Sequence, residues 1–138
     1  MAETLTFAQL HRYDTRKQGI ILPVSLSVGE KVADLHAKLD TGSSLCVFDR
    51  LYGEELGLDI ESGKYQEIGS PTGDFVAYGH WVTLSALGME HETTVYFSKH
   101  HNLGRNVLGR QGWLDRVRLG LIDYDGKLYL SEYNDPAA

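Results

Sequence analysis

Cysteine and proline are scarce in this 138-residue chain, which has one Cys and three Pro. A lone thiol closes no internal disulfide, so nothing here demands an oxidising compartment. The setting of Cys46, between Leu45 and Val47-Phe48, is that of a small buried hydrophobe rather than a nucleophile. No stretch approaches the ~18 consecutive apolar residues of a membrane-crossing helix. Positive charge is also short, with 13 Lys and Arg against 19 Asp and Glu and a net charge of −6. That balance excludes a general nucleic-acid or anionic-membrane surface, since both need a dominant basic face. Residues 1–18 are polar, contain Arg12, Arg16 and Lys17, and lack an apolar segment, so no secretory signal is expected and the default location is cytoplasmic.

What is present is glycine, fifteen of them, among many short apolar runs in a chain that is 42% hydrophobic. The length suits one domain with its own core. With no linker or internal repeat, the expected division is an extension over 1–18, a domain over 19–133 and a tail over 134–138. The extension could be a removable pro-segment, an extra strand or a disordered arm. Residues 19–28 form an apolar-rich run interrupted by Pro23, expected as an edge or bulged strand. From Leu35 the alternation is strict: Leu35, Ala37 and Leu39 share one face, while His36, Lys38 and Asp40 share the other. Asp40 is thereby placed at a strand end, on the face opposite the apolar one.

Residues 45–48 read as a strand, Asp49 as the cap of a short helix reaching about Leu56, and Gly57 as its end. Gly53 weakens that helix. Two β-rich arms, 64–68 and 75–84, flank Gly69-Ser70-Pro71-Thr72-Gly73, the pattern of a hairpin with a mobile tip. Residues 91–97 and 117–122 read as strands and 111–116 as a short helix. Asp123-Tyr124-Asp125-Gly126 contains a turn signal ahead of a last strand over 127–131.

The run Leu39-Asp40-Thr41-Gly42-Ser43-Ser44 occurs once, between two predicted strands. A Gly-flanked hairpin follows some thirty residues later, and Asn106-Val107-Leu108-Gly109-Arg110 comes near the C-terminus. Together these features resemble the retropepsin-like aspartic peptidases over roughly residues 20–131. The resemblance implies an all-β, mainly antiparallel, closed barrel-like acid-protease fold with one or two short helices. It implies a homodimer that hydrolyses peptide or protein substrates without metal or cofactor. Asp40 would be the catalytic aspartate, and Thr41 the hydroxyl bonding across to the partner subunit. Gly42 would sit where chain and substrate approach closely. Gly69, Ser70, Pro71, Thr72 and Gly73 would form the flap tip, with Phe75 and Tyr78 as candidate substrate contacts. Val107, Leu108 and Gly109 would be the segment through which the active-site loop threads, followed by Arg110.

One such motif is half of an active site. The chemistry needs two carboxylates ~3 Å apart that share a proton and hold a water, one acting as base and the other as acid. No second Asp-Thr-Gly or Asp-Ser-Gly exists in the chain, so the partner would be Asp40 of a second copy. Two departures from the family stand out. Retroviral members usually carry an acid two positions after the motif glycine, pairing with the arginine matched by Arg110, and here Ser44 stands in that place. Ser43 replaces the usual Ala, a choice resembling pepsin-like enzymes. A hydroxyl donating to a dyad oxygen would lower the pair's pKa and make the pH optimum more acidic.

Other motifs take bland readings. Gly104 to Gln111 has phosphate-loop glycine spacing but lacks the Lys-Ser/Thr pair. His100 and His101 point to opposite faces of any strand, and His80 and His91 have no Cys or helical His partner, so these read as exposed or loop histidines. Ser43-Ser44 lies in no nucleophile elbow. Trp81 reads as cross-strand packing. Arg105, Arg110, Arg116 and Arg118 read as a solvated face with acidic neighbours. The rival reading of the whole chain is a catalytically silent peptide-binding or dimerisation module on the same fold.

Overall fold

The computed structural model describes residues 1–136. It is predominantly β, with strands β1 (Gln9–Arg12), β2 (Ile21–Val28), β3 (Lys31–Leu39) and β4 (Val47–Phe48), then helix α1 (Arg50–Glu55). Strands β5 (Lys64–Ile68), β6 (Phe75–Ala86), β7 (Met89–Ser98), β8 (Val107–Leu108), β9 (Val117–Ile122) and β10 (Lys127–Glu132) complete it. Seven strands form one sheet in the order β2-β3-β8-β4-β7-β6-β5, and β1-β10-β9 form a second.

The β2–β3 hairpin shows how pattern becomes packing. Its two-residue turn, Gly29-Glu30, places Gly29 at φ +59°, which glycine adopts without strain. Along β3, Ala33, Leu35, Ala37 and Leu39 are buried while Asp34, His36 and Lys38 are exposed. The expectation of an edge strand around Pro23 does not hold. Val24 to Ser27 of β2 pair with β3 on one side and with Thr83 to Ala86 of β6 on the other. Pro23 escapes conflict because it lies one residue before the β6 ladder, where its missing N–H breaks no bond to β6.

β6 ends two residues later and β7 starts two residues earlier than the sequence suggested, and β7 also runs one residue further at its end. Their connection is a tight two-residue turn, Leu87-Gly88, with both residues at positive φ, +52° and +81°. This is the conformation whose twist suits a hairpin, but leucine rarely adopts it, so the pattern carried no turn signal there. The expected helix over 111–116 is also corrected. Gln111 bridges Leu45, Gly112 is left-handed at φ +109°, and only Leu114–Arg116 forms a single 3-10 turn. A left-handed residue interrupts a right-handed helix before it can nucleate.

Helix α1 matches its expected cap: the Asp49 carboxylate accepts from the Leu51 N–H at 2.9 Å, and Gly57 follows at φ +75°. Gly53 inside it is required by packing. A Cβ there would lie 2.5 Å from Ile60 Cδ1 and 2.9 Å from the Phe97 ring. The main core gathers Leu22, Leu26, Phe48, Leu84, Phe97, Leu108 and Trp113, each contributing roughly 1.5–3 kcal/mol by burial. A second, smaller cluster of Val47, Ala77, Tyr96 and Val107 carries Leu45, Ile68, Phe75 and Leu103 against it. Within 1–18, residues 9–12 are a strand: β1 pairs antiparallel with β10. Tyr13 extends the contact, donating its N–H to the Gly126 carbonyl at 2.9 Å and its hydroxyl to Asp123 at 2.6 Å. The tail expected over 134–138 has its last two residues outside the described ones. No helix among the described residues is long and apolar enough to cross a membrane.

Candidate active site

The loop carrying Asp40 is held by the strand it leaves. β3 pairs in parallel with β8, Lys38 beside Val107 and Leu39 beside Leu108, and the Asp40 N–H donates to the Leu108 carbonyl at 3.0 Å. The chain then turns tightly: the Ser43 N–H donates to the Asp40 carbonyl at 3.2 Å, and the Gly42 N–H to Asp40 Oδ1 at 2.9 Å. One carboxylate oxygen is therefore oriented by its own turn. Asp40 is half-buried, while Thr41 and Gly42 are exposed. A Cβ placed on Gly42 would meet Asp40 Oδ1 at 3.2 Å. Thr41 makes no side-chain hydrogen bond among the described residues.

Val107-Leu108-Gly109 passes directly behind this turn. The N–H groups of Arg110 and Gln111 donate to the carbonyls of Ser43 and Ser44, both at 2.9 Å. The approach requires glycine: a Cβ on Gly109 would sit 2.1 Å from the Leu45 carbonyl oxygen and 2.8 Å from that of Ser43. Cys46 seals the crossing, its sulfur accepting from the Gly109 N–H at 3.3 Å. Burial pushes that thiol up to about 12, so it is a packed, protonated group at neutral pH.

Ser43 departs from expectation. Its hydroxyl donates to the Leu45 carbonyl at 2.7 Å, and a hydroxyl has one proton to give. It therefore does not donate to Asp40, and the reason for a lowered dyad pKa disappears. Ser44, in the place of the usual acid, is exposed, and the exposed Arg110 side chain has no partner among the described residues.

The β5–β6 hairpin roofs the site. Ile68 pairs with Phe75, and the loop between them contains a turn in which the Gly73 N–H donates to the Ser70 carbonyl at 3.1 Å. Pro71 follows Ser70, where its fixed φ suits the first central position of a turn. Ile68, Gly69, Ser70, Pro71 and Phe75 face Asp40, Gly42 and Ser43 across a cavity of about 280 Å³. Thr72 and Gly73 line an adjoining cavity of about 390 Å³ instead. Tyr78 is not in either lining. Strand alternation explains this correction: Phe75 and Ala77 face the cleft-side cluster, whereas Tyr78 belongs with Val82 and Leu84 against the main core. Its ring meets Tyr65 edge-on, with centroids 5.9 Å apart.

Sequence reasoning missed the cleft roles of Val47, Ile68 and Arg105. Val47 and Ile68 looked like ordinary strand residues, and Arg105 like one of four solvated arginines. The four are dispersed. Arg116 is beside Asp115 and reaches the Glu92 carbonyl, Arg118 reaches Thr6, Tyr133 and Asp135, and Arg105 lies in the cleft with Asp40. The histidines hold separate partners, His91 on Glu132, His101 on Glu54 and His80 on the Ile60 carbonyl. Among the described residues no three His, Cys, Asp or Glu side chains converge as metal ligands would.

With this geometry in place, comparison with solved structures is informative. The chain superposes on EIAV protease complexed with the inhibitor HBY-793, with a TM-score of 0.52 and 20% identity. The match covers 68% of this chain and 84% of that one. The fold is retropepsin-like. No protein-family model matches the sequence, and no curated protein does. The likeness is one of architecture.

Proposed function

We infer that the chain is one half of an aspartic endopeptidase, completed as a symmetric homodimer. The observation carrying this reading is Asp40 at the end of β3, its Oδ1 bound by the Gly42 N–H, beneath a hairpin tip on a protease-type fold. In the dimer, Asp40 and its symmetry mate would share one proton, because two carboxylates ~3 Å apart cannot both ionise. The ionised member takes a proton from the bound water as that water attacks the scissile carbonyl carbon. The protonated member gives its proton to the carbonyl oxygen. Collapse of the tetrahedral diol returns a proton to the leaving amine and breaks the C–N bond. Substrate would lie extended between the flap tip (Gly69 to Gly73) and the floor formed by Val47 and Val107, offering its backbone to hydrogen bonds. Thr41, exposed and without a side-chain partner among the described residues, would be available to bond across the two-fold axis.

The silent-module reading is favoured by one observation: among the described residues the Arg110 side chain has no acid partner, and Ser44 stands where retroviral proteases usually carry one. One experiment separates them: cleavage of a mixed-peptide library by wild type and Asp40→Asn, with and without a pepstatin-type inhibitor, both proteins first shown to be dimeric by mass. Inhibitor-sensitive cleavage that Asp40→Asn abolishes is the expected result. Equal absence of cleavage by both dimers would leave the module.

A further inference from the structure

The cavity over Asp40 contains a second charged group for which hydrolysis has no use. Arg105 lines this cavity and two others beside it. Its guanidinium carbon lies over the Phe75 ring, 6.0 Å from the centroid. Its side chain makes no ion pair or hydrogen bond among the described residues, in contrast to Arg50, which is clamped by Glu54 and Glu61. Asp40 shares the cavity over the active-site turn and Asp74 the neighbouring one, yet neither pairs with it.

The backbone presenting Arg105 is tied down on both sides. Asp49 accepts from the Leu103 N–H at 2.7 Å through its second carboxylate oxygen, and its own N–H donates to Asn106 Oδ1 at 2.9 Å. Lys38 N–H donates to the Asn106 carbonyl at 2.8 Å, joining this segment to the strand that delivers Asp40. A guanidinium over an aromatic ring keeps its forked N–H groups free, and that fork matches a carboxylate in two parallel hydrogen bonds. Around the exposed Arg105 the cavity combines the apolar side chains of Val47, Ile68, Phe75 and Val107 with the polar ones of Asp40, Ser43 and Ser70.

We propose that Arg105 makes the cleft acid-selective, its guanidinium binding a carboxylate side chain, Asp or Glu, placed close to the scissile bond. Calling that peptide a substrate rests on the peptidase reading; the binding selectivity does not. The net charge of −6 sharpens the point, since the protein as a whole repels acidic peptides and the attraction must be local.

The test is retention of a degenerate octapeptide library by the immobilised Asp40→Asn dimer, which removes turnover. Peptides are capped at both ends, with Glu, Gln or Lys fixed at each position in turn. At one or two positions Glu should be retained about tenfold over Gln, the value of a charge-assisted pair over a neutral one. Adding Arg105→Gln should bring that ratio to about one, and Arg105→Glu should turn the preference toward Lys. Arg105→Lys should keep a reduced preference for Glu, having the charge but not the fork. Equal retention of Glu and Gln throughout, or a Glu preference that survives Arg105→Gln, overturns the proposal. So does retention that depends only on a free C-terminal carboxylate in an uncapped copy of the library. Cleavage by wild type without acid preference refutes this proposal alone. Acid-selective binding without any cleavage refutes the peptidase reading alone.

Discussion

Gly109→Ala tests the threading of the active-site loop most directly. An added Cβ would meet the Leu45 carbonyl oxygen at 2.1 Å, whereas a carbon–oxygen contact needs about 3.3 Å. Backbone must therefore move by about 1.2 Å, since no side-chain rotation relieves a clash between two main chains. A shift of that size breaks the bonds from Arg110 N–H to Ser43 and from Gln111 N–H to Ser44, both 2.9 Å in the native chain. Two hydrogen bonds at about 1 kcal/mol each and an overpacking cost of about 1–3 kcal/mol sum to about 3–5 kcal/mol. That is a large part of the stability of a domain this size. The measurement is urea unfolding at one fixed protein concentration, because association shifts apparent stability. Gly88→Ala is the control. Gly88 is left-handed at φ +81° with nothing within 4 Å of an added Cβ, so it loses only the conformational term, about 1–2 kcal/mol. If Gly109→Ala unfolds at the same urea concentration as Gly88→Ala, crowding behind the Asp40 turn is not what selects glycine, and the account is wrong.

Three further outcomes are expected. Ser43→Ala should cost about 1 kcal/mol of stability through loss of the Leu45 bond, and both limbs of the pH–rate profile should stay in place; a shifted acid limb would restore a hydroxyl–dyad bond. Cys46, fully buried with its thiol pushed up to about 12, should resist a disulfide reagent at pH 8 in the native state and react promptly in denaturant. Rapid native labelling would contradict the burial. Glu61 and Glu54 lie below their ordinary carboxyl value of 4.5, Glu61 through its bond from Arg50 and Glu54 through those from His101 and Arg50. A lowered folded pKa adds stability that is full above 4.5 and lost as pH falls through the lowered values. Arg50→Gln should therefore shallow the loss of stability on acidification below that point, as followed by unfolding at stepped pH, and leave the slope near neutrality alone.

Much of the site was legible because its parts are local. Alternation along β3 placed Asp40 opposite the apolar face, and the turn residues Thr41-Gly42 follow it directly in sequence. Asp49 and Gly57 marked the ends of α1 by capping, which depends on a few adjacent residues. The misreadings were of another kind. Leu87-Gly88 makes a hairpin turn without the usual residues, because pairing along all of β6 and β7 outweighs the strain at one leucine. Gln111 was drawn out of a helix by its bridge to Leu45, distant in sequence. The Ser43 hydroxyl went to a carbonyl two residues on, a choice between near partners that only the turn geometry settles.

By itself, then, the sequence determined the strand character of the chain and the position of Asp40 at a strand end. These follow from side-chain period and turn chemistry. Tertiary structure decided which aromatic of β6 faces the cleft, what Ser43 bonds, and that Arg105 shares a cavity with Asp40 while Arg116 and Arg118 do not. The cleft around Arg105 depends on contacts between segments more than fifty residues apart, Asp40 with Leu108 and Asp49 with Asn106 among them, and no local pattern encodes such distances.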